Sequence, residues 1–300
     1  MDEMARYKVG RRVSWLTIIG NILLAAVKAV VGVLSGSSVL IADAVHSLSD
    51  VATTVVVLFA LRIAKTPPDA EHPYGHGRAE SIGAKVLAVM LVLMGLSIGG
   101  TAVRQLFVGT YTIPGQMAIW AVLLSIVVKE AMYRYSMAVG QRINSTALIA
   151  DALEHRSDAM SSVASLIGVV GARLGYPVCD PLAAVVVSAF IVRMGAGIFL
   201  ESSHELMDAQ VHGALAAEVE MHASSVPGVE HVDEVRIRKY GAYHFVDMKL
   251  SVDRDLTVWE GHAIASQVKS KLQNSVPTVG DVLVHIDPYP DHHDLGGSGS

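Results

Sequence analysis

The distribution of apolar and polar positions divides the chain near residue 205. Before it, apolar residues gather into six long runs, near 12–34, 39–63, 81–107, 114–138, 146–174 and 180–203. A helix of roughly 20 mostly apolar residues spans the hydrocarbon core of a bilayer, so each run predicts a transmembrane helix. The segments between them carry turn and break signals: GSGSS (34–38), PPD (67–69), Gly109, NST (144–146) and GYP (175–177). Two of these loops are barely long enough to turn, which makes their flanking helices antiparallel neighbours.

After Asp208 the pattern becomes that of a water-soluble fold. Residues 210–225 read as an amphipathic helix ended by Pro227 and Gly228. Two alternating stretches, 231–239 and 243–252, flank a turn at Gly241 and predict a hairpin. Residues 257–273 have helical periodicity, and VLVHID (282–287) reads as a last strand. The order αββαβ predicts a small α+β domain of heavy-metal-domain-like type, with helices on one face of a sheet. The expected organisation is a six-helix transmembrane domain at 1–207 and a small soluble domain at 208–290. A disordered tail with an appended flexible linker occupies 291–300. A domain of about 80 residues is near the size at which association helps stability, so a homodimer is expected.

Composition agrees: 52% of residues are hydrophobic, 17% are charged, and the mean hydropathy is +0.45. A net charge of −5 without a basic tract excludes nucleic acid as a partner, and the one cysteine, Cys179, excludes an intrachain disulfide framework. The apolar run after Arg12 is too long for a cleaved leader. Arg6, Lys8, Arg11, Arg12, Arg62, Lys65, Arg78, Arg134 and Arg142 flank one side of the spans, against Arg104 and Arg173 on the other. The excess of basic residues places both termini in the cytoplasm. No phosphate loop or nucleophile motif is present, and an enzyme is not expected.

An ionisable side chain at mid-membrane costs at least ~2.5–3.5 kcal/mol on insertion scales and marks function by default. Span two carries Asp43, His46 and Asp50; span five carries Asp151, Glu154, His155 and Asp158. His46 with Asp50, and Glu154 with Asp158, are i,i+4 pairs on one helix face. Asp50 and Asp158 each lie ~18 Å from their own point of entry, near mid-membrane. Two oxygen and nitrogen donors from each helix suit a single first-row divalent ion. Asp43 and Asp151, a turn further out, are expected to support or line the mouth of the site. His155 is the alternative donor to Glu154. A structural acid–base pairing such as His46 with Asp158, or a metal-free proton relay, is the competing reading. Lys28 and Lys85 are read as snorkelling, and Glu130 with Arg134 as a structural i,i+4 pair.

These spans, together with HPYGHGRAE (72–80), NST (144–146) and the stretch from SGSSVLIADAVHSLSD (35–50) to HIDP (285–288), resemble the cation diffusion facilitators over essentially the whole chain. That family comprises dimeric metal–proton antiporters. EAMYRY (130–135), RSDAMSS (156–162) and HELMD (204–208) resemble its magnetosome branch. The resemblance implies a transport site at His46, Asp50, Glu154 and Asp158. It implies a second metal at Asp69, His72 and His76 in the loop after span two. In the cytoplasmic domain it implies ligands at Asp247, His262 and His285 by the magnetosome pattern, or at Asp233, His262, His285 and Asp287 by that of the zinc and iron exporters. Lys249 stands where the latter pattern has a further histidine, so a single or weaker site is expected. Arg78 and Asp208 match a charge pair that works across the dimer. The run DHHD (291–294) is expected to be a loose tail, and Asp180 the N-cap of span six.

Where family members have His or Asp, this chain has Glu154. The loss of a nitrogen donor favours Fe²⁺ or Mn²⁺ over Zn²⁺. The expected activity is efflux of one of these ions from the cytoplasm across the inner membrane by exchange for protons. A metal-binding scaffold of the magnetosome membrane, with a paralogue as heterodimer partner, is the main rival. A proton-coupled carrier of organic substrates fits the ligand spacing less well.

Overall fold

The computed structural model describes residues 3–35, 38–109, 116–174, 176 and 178–289. The chain forms two compact units, Met1–Ser203 and His204–Ser300. The expectations for the 34–38 and 175–177 turns lie partly outside the described residues, and that for the 291–300 tail wholly so; Asp180, expected as a cap, falls one residue inside the helix that begins at Cys179, with its side chain outside the described residues.

Six long helices make the transmembrane domain: α1 (Glu3–Ser35), α2 (Ser38–Ala64), α3 (Ala79–Val108), α4 (Gln116–Arg142), α5 (Thr146–Arg173) and α6 (Cys179–Leu206). Among the described residues, Met4–Val31, Ala79–Val108 and Ala184–Leu206 are apolar enough to cross a membrane by composition alone. Helices α4 and α5 hold ionisable groups instead, and of these Lys129, Asp151, Glu154, His155 and Asp158 are buried in the bundle interior. In this unit α1 packs on α2 and α4, α4 on α5, and α3 and α5 both on α2. The core is made by Val57, Leu61, Leu87, Leu91, Leu148 and Ile191.

Helices α3 and α6 meet through glycine. A Cβ at Gly95 would stand 2.8 Å from Val192 Cγ2, and one at Gly195 would stand 2.9 Å from Val92 Cγ2. Small residues let backbones approach where no hydrophobic effect drives helices together.

One end of the bundle is tied by charge. Arg6 Nη2 lies 2.5 Å from Glu80 Oε1, and both side chains are buried. Arg6 also donates from Nε to the Ile143 carbonyl (2.6 Å) and from Nη2 to that of Asn144 (3.3 Å). Ser145 donates its hydroxyl to Glu80 Oε2 and accepts from the Leu148 N–H, so it caps α5 as well. Two of the sequence motifs, 72–80 and 144–146, are thus joined by direct contact.

The second unit has α7 (Ala214–Ser224), β1 (His231–Tyr240), β2 (Tyr243–Asp253), α8 (Val258–Ser275) and β3 (Val279–Tyr289), the expected αββαβ order. The sheet order is β1-β2-β3, with β1 antiparallel and β3 parallel to β2. Gly241 takes the positive φ (60°) that the β1–β2 turn needs. Thr257 and Glu260 form a reciprocal capping box at the start of α8. Ile237, Val246, Met248, Leu250, Val268 and Leu272 make the core.

Candidate metal-transport site

Helices α2 and α5 pack against each other, and their acids converge between them. Asp50 and Asp158 are 3% and 6% exposed. The convergence is made by a residue that the apolar pattern left without a role. Lys129 of α4 is 2% exposed, and its Nζ donates to Asp50 Oδ2 at 2.6 Å and Asp158 Oδ2 at 2.8 Å. One ammonium therefore holds a carboxylate from each helix at a single point.

Around that point, Asp151 is buried and its Oδ1 accepts from the Thr54 hydroxyl at 3.0 Å. The Thr53 hydroxyl bonds the Asp50 carbonyl at 2.6 Å and lies beside the Glu154 carboxyl. His155 is fully buried with Nε2 3.7 Å from Asp151 Oδ2. Asp151, Glu154, His155 and Asp158 form one stripe along α5, as their i, i+3, i+4, i+7 spacing requires. Glu154 Oε2, Asp151 Oδ2 and both His155 nitrogens have no hydrogen-bond partner among the described residues. Buried polar atoms left in this state are uncommon and suit ligation. Asp151 thus stands beside His155 within the bundle, the supporting rather than the mouth place of the two expected of it. His46 and Asp43 belong to α2, but their side chains are outside the described residues.

Lys28 was expected to snorkel. It is instead 2% exposed, with Nζ donating to Ser47 Oγ at 2.8 Å, because α1 and α2 pack over it. Lys85 lies 4.7 Å from the centroid of the Phe199 ring, and the Glu130–Arg134 pair forms at 2.7 Å. Lys129 was legible in principle: it sits 13 residues from either end of α4, roughly 20 Å, beyond the reach of a lysine stem to the interface.

The loop after α2 brings three more of the candidate donors together. Asp69, His72 and His76 present ligand atoms within 4.8 Å of one another. Asp69 follows Pro67 and Pro68 and accepts from the N–H groups of His72 (2.6 Å) and Glu71 (3.0 Å). The His72 N–H bond, joined by the two imidazoles, holds its carboxyl below the usual range. His76 Nδ1 faces the Thr66 carbonyl at 3.3 Å, which directs Nε2 towards Asp69 at 3.5 Å. A ligating histidine is commonly oriented through its second nitrogen in this way.

The cytoplasmic donors do not converge within one chain. His231 pairs with Asp233 (2.8 Å), and His285 with Asp287 (3.1 Å). Asp247 is taken by Arg238 Nη1 at 2.8 Å, and His262 contacts Ser266 on its own helix. Lys249 lies opposite His285 in the sheet and pairs with Glu234 at 3.3 Å. Asp208 is 3.9 Å from Arg238 in its own unit, and Arg78 opens α3 in the other.

Two buried carboxylates from adjacent membrane helices, with a pre-arranged donor set on the following loop, define an integral membrane cation carrier. The chain belongs to the cation efflux family: residues 14–207 match its transmembrane domain and 211–289 its cytoplasmic domain. It is 33% identical to the manganese efflux system protein MneP of Bacillus subtilis, over 95% of this chain and 98% of that one. It is 34% identical to the magnetosome protein MamB of Magnetospira sp., over 96% and 98%. Metal tolerance protein C1 of Arabidopsis thaliana is 34% identical over 93% of this chain and 62% of the plant protein. Among solved structures, a variant of the MamM C-terminal domain matches 25% of this chain and 94% of its own, at 27% identity and a TM-score of 0.25.

Proposed function

We propose that the protein exports a divalent metal ion in exchange for protons, through a central site made by His46, Asp50, Glu154 and Asp158. The observation that carries this reading is the meeting of Asp50 and Asp158 at one buried cation, Lys129 Nζ. A point that holds an ammonium between two carboxylates can hold a metal ion between them. The donors are mostly carboxylate oxygens, which favour Mn²⁺ or Fe²⁺ over Zn²⁺. The name of MneP supports Mn²⁺ as the first cargo to test.

In this reading Asp69, His72 and His76 collect the ion at the cytoplasmic face and the central site carries it outward. Protons replace it on the emptied carboxylates, and the helices return. Both termini lie in the cytoplasm. The protein works as a homodimer whose cytoplasmic donors His262, His285, Asp247, Asp233 and Asp287 are completed by a second copy, with Arg78 and Asp208 paired across it. His155 stands ready to supplement Glu154.

The test is uptake into proteoliposomes of Mn²⁺, Fe²⁺ and Zn²⁺ separately, with and without an imposed pH gradient. Gradient-driven movement of Mn²⁺ or Fe²⁺ is expected to exceed that of Zn²⁺. Equal movement without a gradient would exclude proton exchange. A second reading, a metal-binding scaffold with little transport, is favoured by Lys129 occupying the two carboxylates. It predicts binding of metal and no flux.

A further inference from the structure

Lys129 is not a ligand, yet it occupies the place where a ligated ion would be. Its Nζ is 2.6 Å and 2.8 Å from the oxygens that Asp50 and Asp158 would offer a metal. A metal–oxygen bond is shorter, about 2.0–2.2 Å, so ammonium and metal cannot share those oxygens. Both are also positive and would repel each other in a medium of low dielectric. Binding of a divalent ion at this point therefore requires Lys129 to withdraw.

We propose that Lys129 is a tethered counter-cation that competes with the transported metal, lowering its affinity and promoting its release. The inference rests on the central-site reading above. Three features support it. The lysine comes from α4, whereas the acids come from α2 and α5, so its departure and return change contacts among three packed helices. Its side chain is buried, and among the described residues the two acids are the groups it pairs with. The exchange is also unequal in charge: a metal brings two positive charges where the lysine brings one, so the carboxylates still prefer the metal. When the metal leaves, the returning ammonium reduces the charge of the two acids from two negative to one, so that a single returning proton completes their neutralisation. An empty carrier in that state crosses its conformational barrier with less buried charge. The residue thus sets the balance between capture and release, in the way a specificity-determining group does.

The experiment uses the full-length protein in lipid nanodiscs, with Asp69, His72, His76, His262 and His285 each changed to Ala to remove the other donors. Mn²⁺ alone is the probe, and binding is measured by titration calorimetry. Lys129→Gln is expected to bind Mn²⁺ at least about tenfold more tightly, the smallest effect typical of removing a close charge from a buried site. With the other donors restored, the same variant in proteoliposomes should turn over more slowly because release is slowed. Lys129→Arg keeps the charge and adds a fork that grips both carboxylates, so its affinity should fall or stay low. Should Lys129→Gln fail to give a monodisperse, cooperatively unfolding protein, the arginine variant decides alone. Affinity unchanged in a folded Lys129→Gln variant, or raised in Lys129→Arg, would overturn the inference. The companion Asp50→Asn, Asp158→Asn variant separates the two claims: it should abolish the binding. If it binds as the parent does, the central-site reading itself fails.

Discussion

Removing Arg6 should unfold the membrane unit at a markedly lower temperature, although the residue is far along the chain from every proposed ligand. Arg6 and Glu80 form a 2.5 Å ion pair with side chains 6% and 1% exposed. Arg6 also satisfies the carbonyls of Ile143 and Asn144 at the turn between α4 and α5. In Arg6→Met, Glu80 keeps the Ser145 hydroxyl but loses the Arg6 guanidinium, and the two carbonyls lose this donor. Breaking a buried pair from one side costs about 3–5 kcal/mol. At roughly 2–4 °C per kcal/mol for a unit of this size, Tm should fall on the order of 10 °C. Replacing both residues, Arg6→Met with Glu80→Met, should cost clearly less than the two single changes added together, because no charge is then stranded. The assay is thermal unfolding of the detergent-solubilised protein in a double-mutant cycle. A fall under about 2 °C for Arg6→Met, or strict additivity in the cycle, would refute the account of this network.

Further outcomes follow from the same geometry. Gly95→Val places a Cβ 2.8 Å from Val192 Cγ2 and should cost about 1–3 kcal/mol by overpacking the α3–α6 contact, read as a lower Tm. Replacing His72 and His76 by Ala should weaken apparent Mn²⁺ affinity in uptake assays while leaving the maximal rate largely intact, as the proposed role of the loop in collecting ions requires. A large fall in maximal rate would place the loop in the transport step itself. Burial, then the Lys239 ammonium, holds the His244 imidazole below 6.5. The unfolded chain therefore binds that proton more readily than the folded one. The His244 contribution to stability is full above pH 6.5 and is lost as pH falls below it. Urea unfolding followed between pH 8 and pH 5 should show this loss, and His244→Gln should flatten it; an unchanged pH profile would contradict the assignment.

Much of the architecture was legible because membrane and sheet impose strong periods. The apolar runs located all six helices, and the alternation at 231–239 and 243–252 located the hairpin within a residue. The first cytoplasmic helix was drawn too long at its start. Residues 210–213 are drawn to the sheet instead: the Gln210 side chain bonds the Val235 carbonyl and the Ile237 N–H, and Val211 N–H bonds the Ile237 carbonyl. Gly213, at a φ of 88°, then opens the helix. The last strand begins at Val279 rather than 282, because pairing with β2 continues through Asp281 and, past an irregularity at Gly280, to Val279; the Gly280–Asp281 step hid it from the apolar pattern. At the candidate site, the equal depth of Asp50 and Asp158 along their helices was legible, and the two carboxylates do meet, at Lys129. Lys129 and Thr54 were not legible as partners, since nothing local in α4 or α2 states which helix they will meet. The cytoplasmic donors show the converse. The resemblance offered two ligand sets, but within one chain Asp247 pairs with Arg238 across the β1–β2 ladder and His285 pairs with Asp287 along β3.

The central claim is that Asp50 and Asp158 together carry the metal through the membrane. Its most direct test is radioactive Mn²⁺ flux into proteoliposomes under an imposed pH gradient, comparing the parent with Asp50→Ala and Asp158→Ala at equal reconstituted amounts of folded protein. The account predicts gradient-driven flux in the parent and flux at the protein-free baseline in each variant. Flux retained at the parental rate in either variant would contradict it.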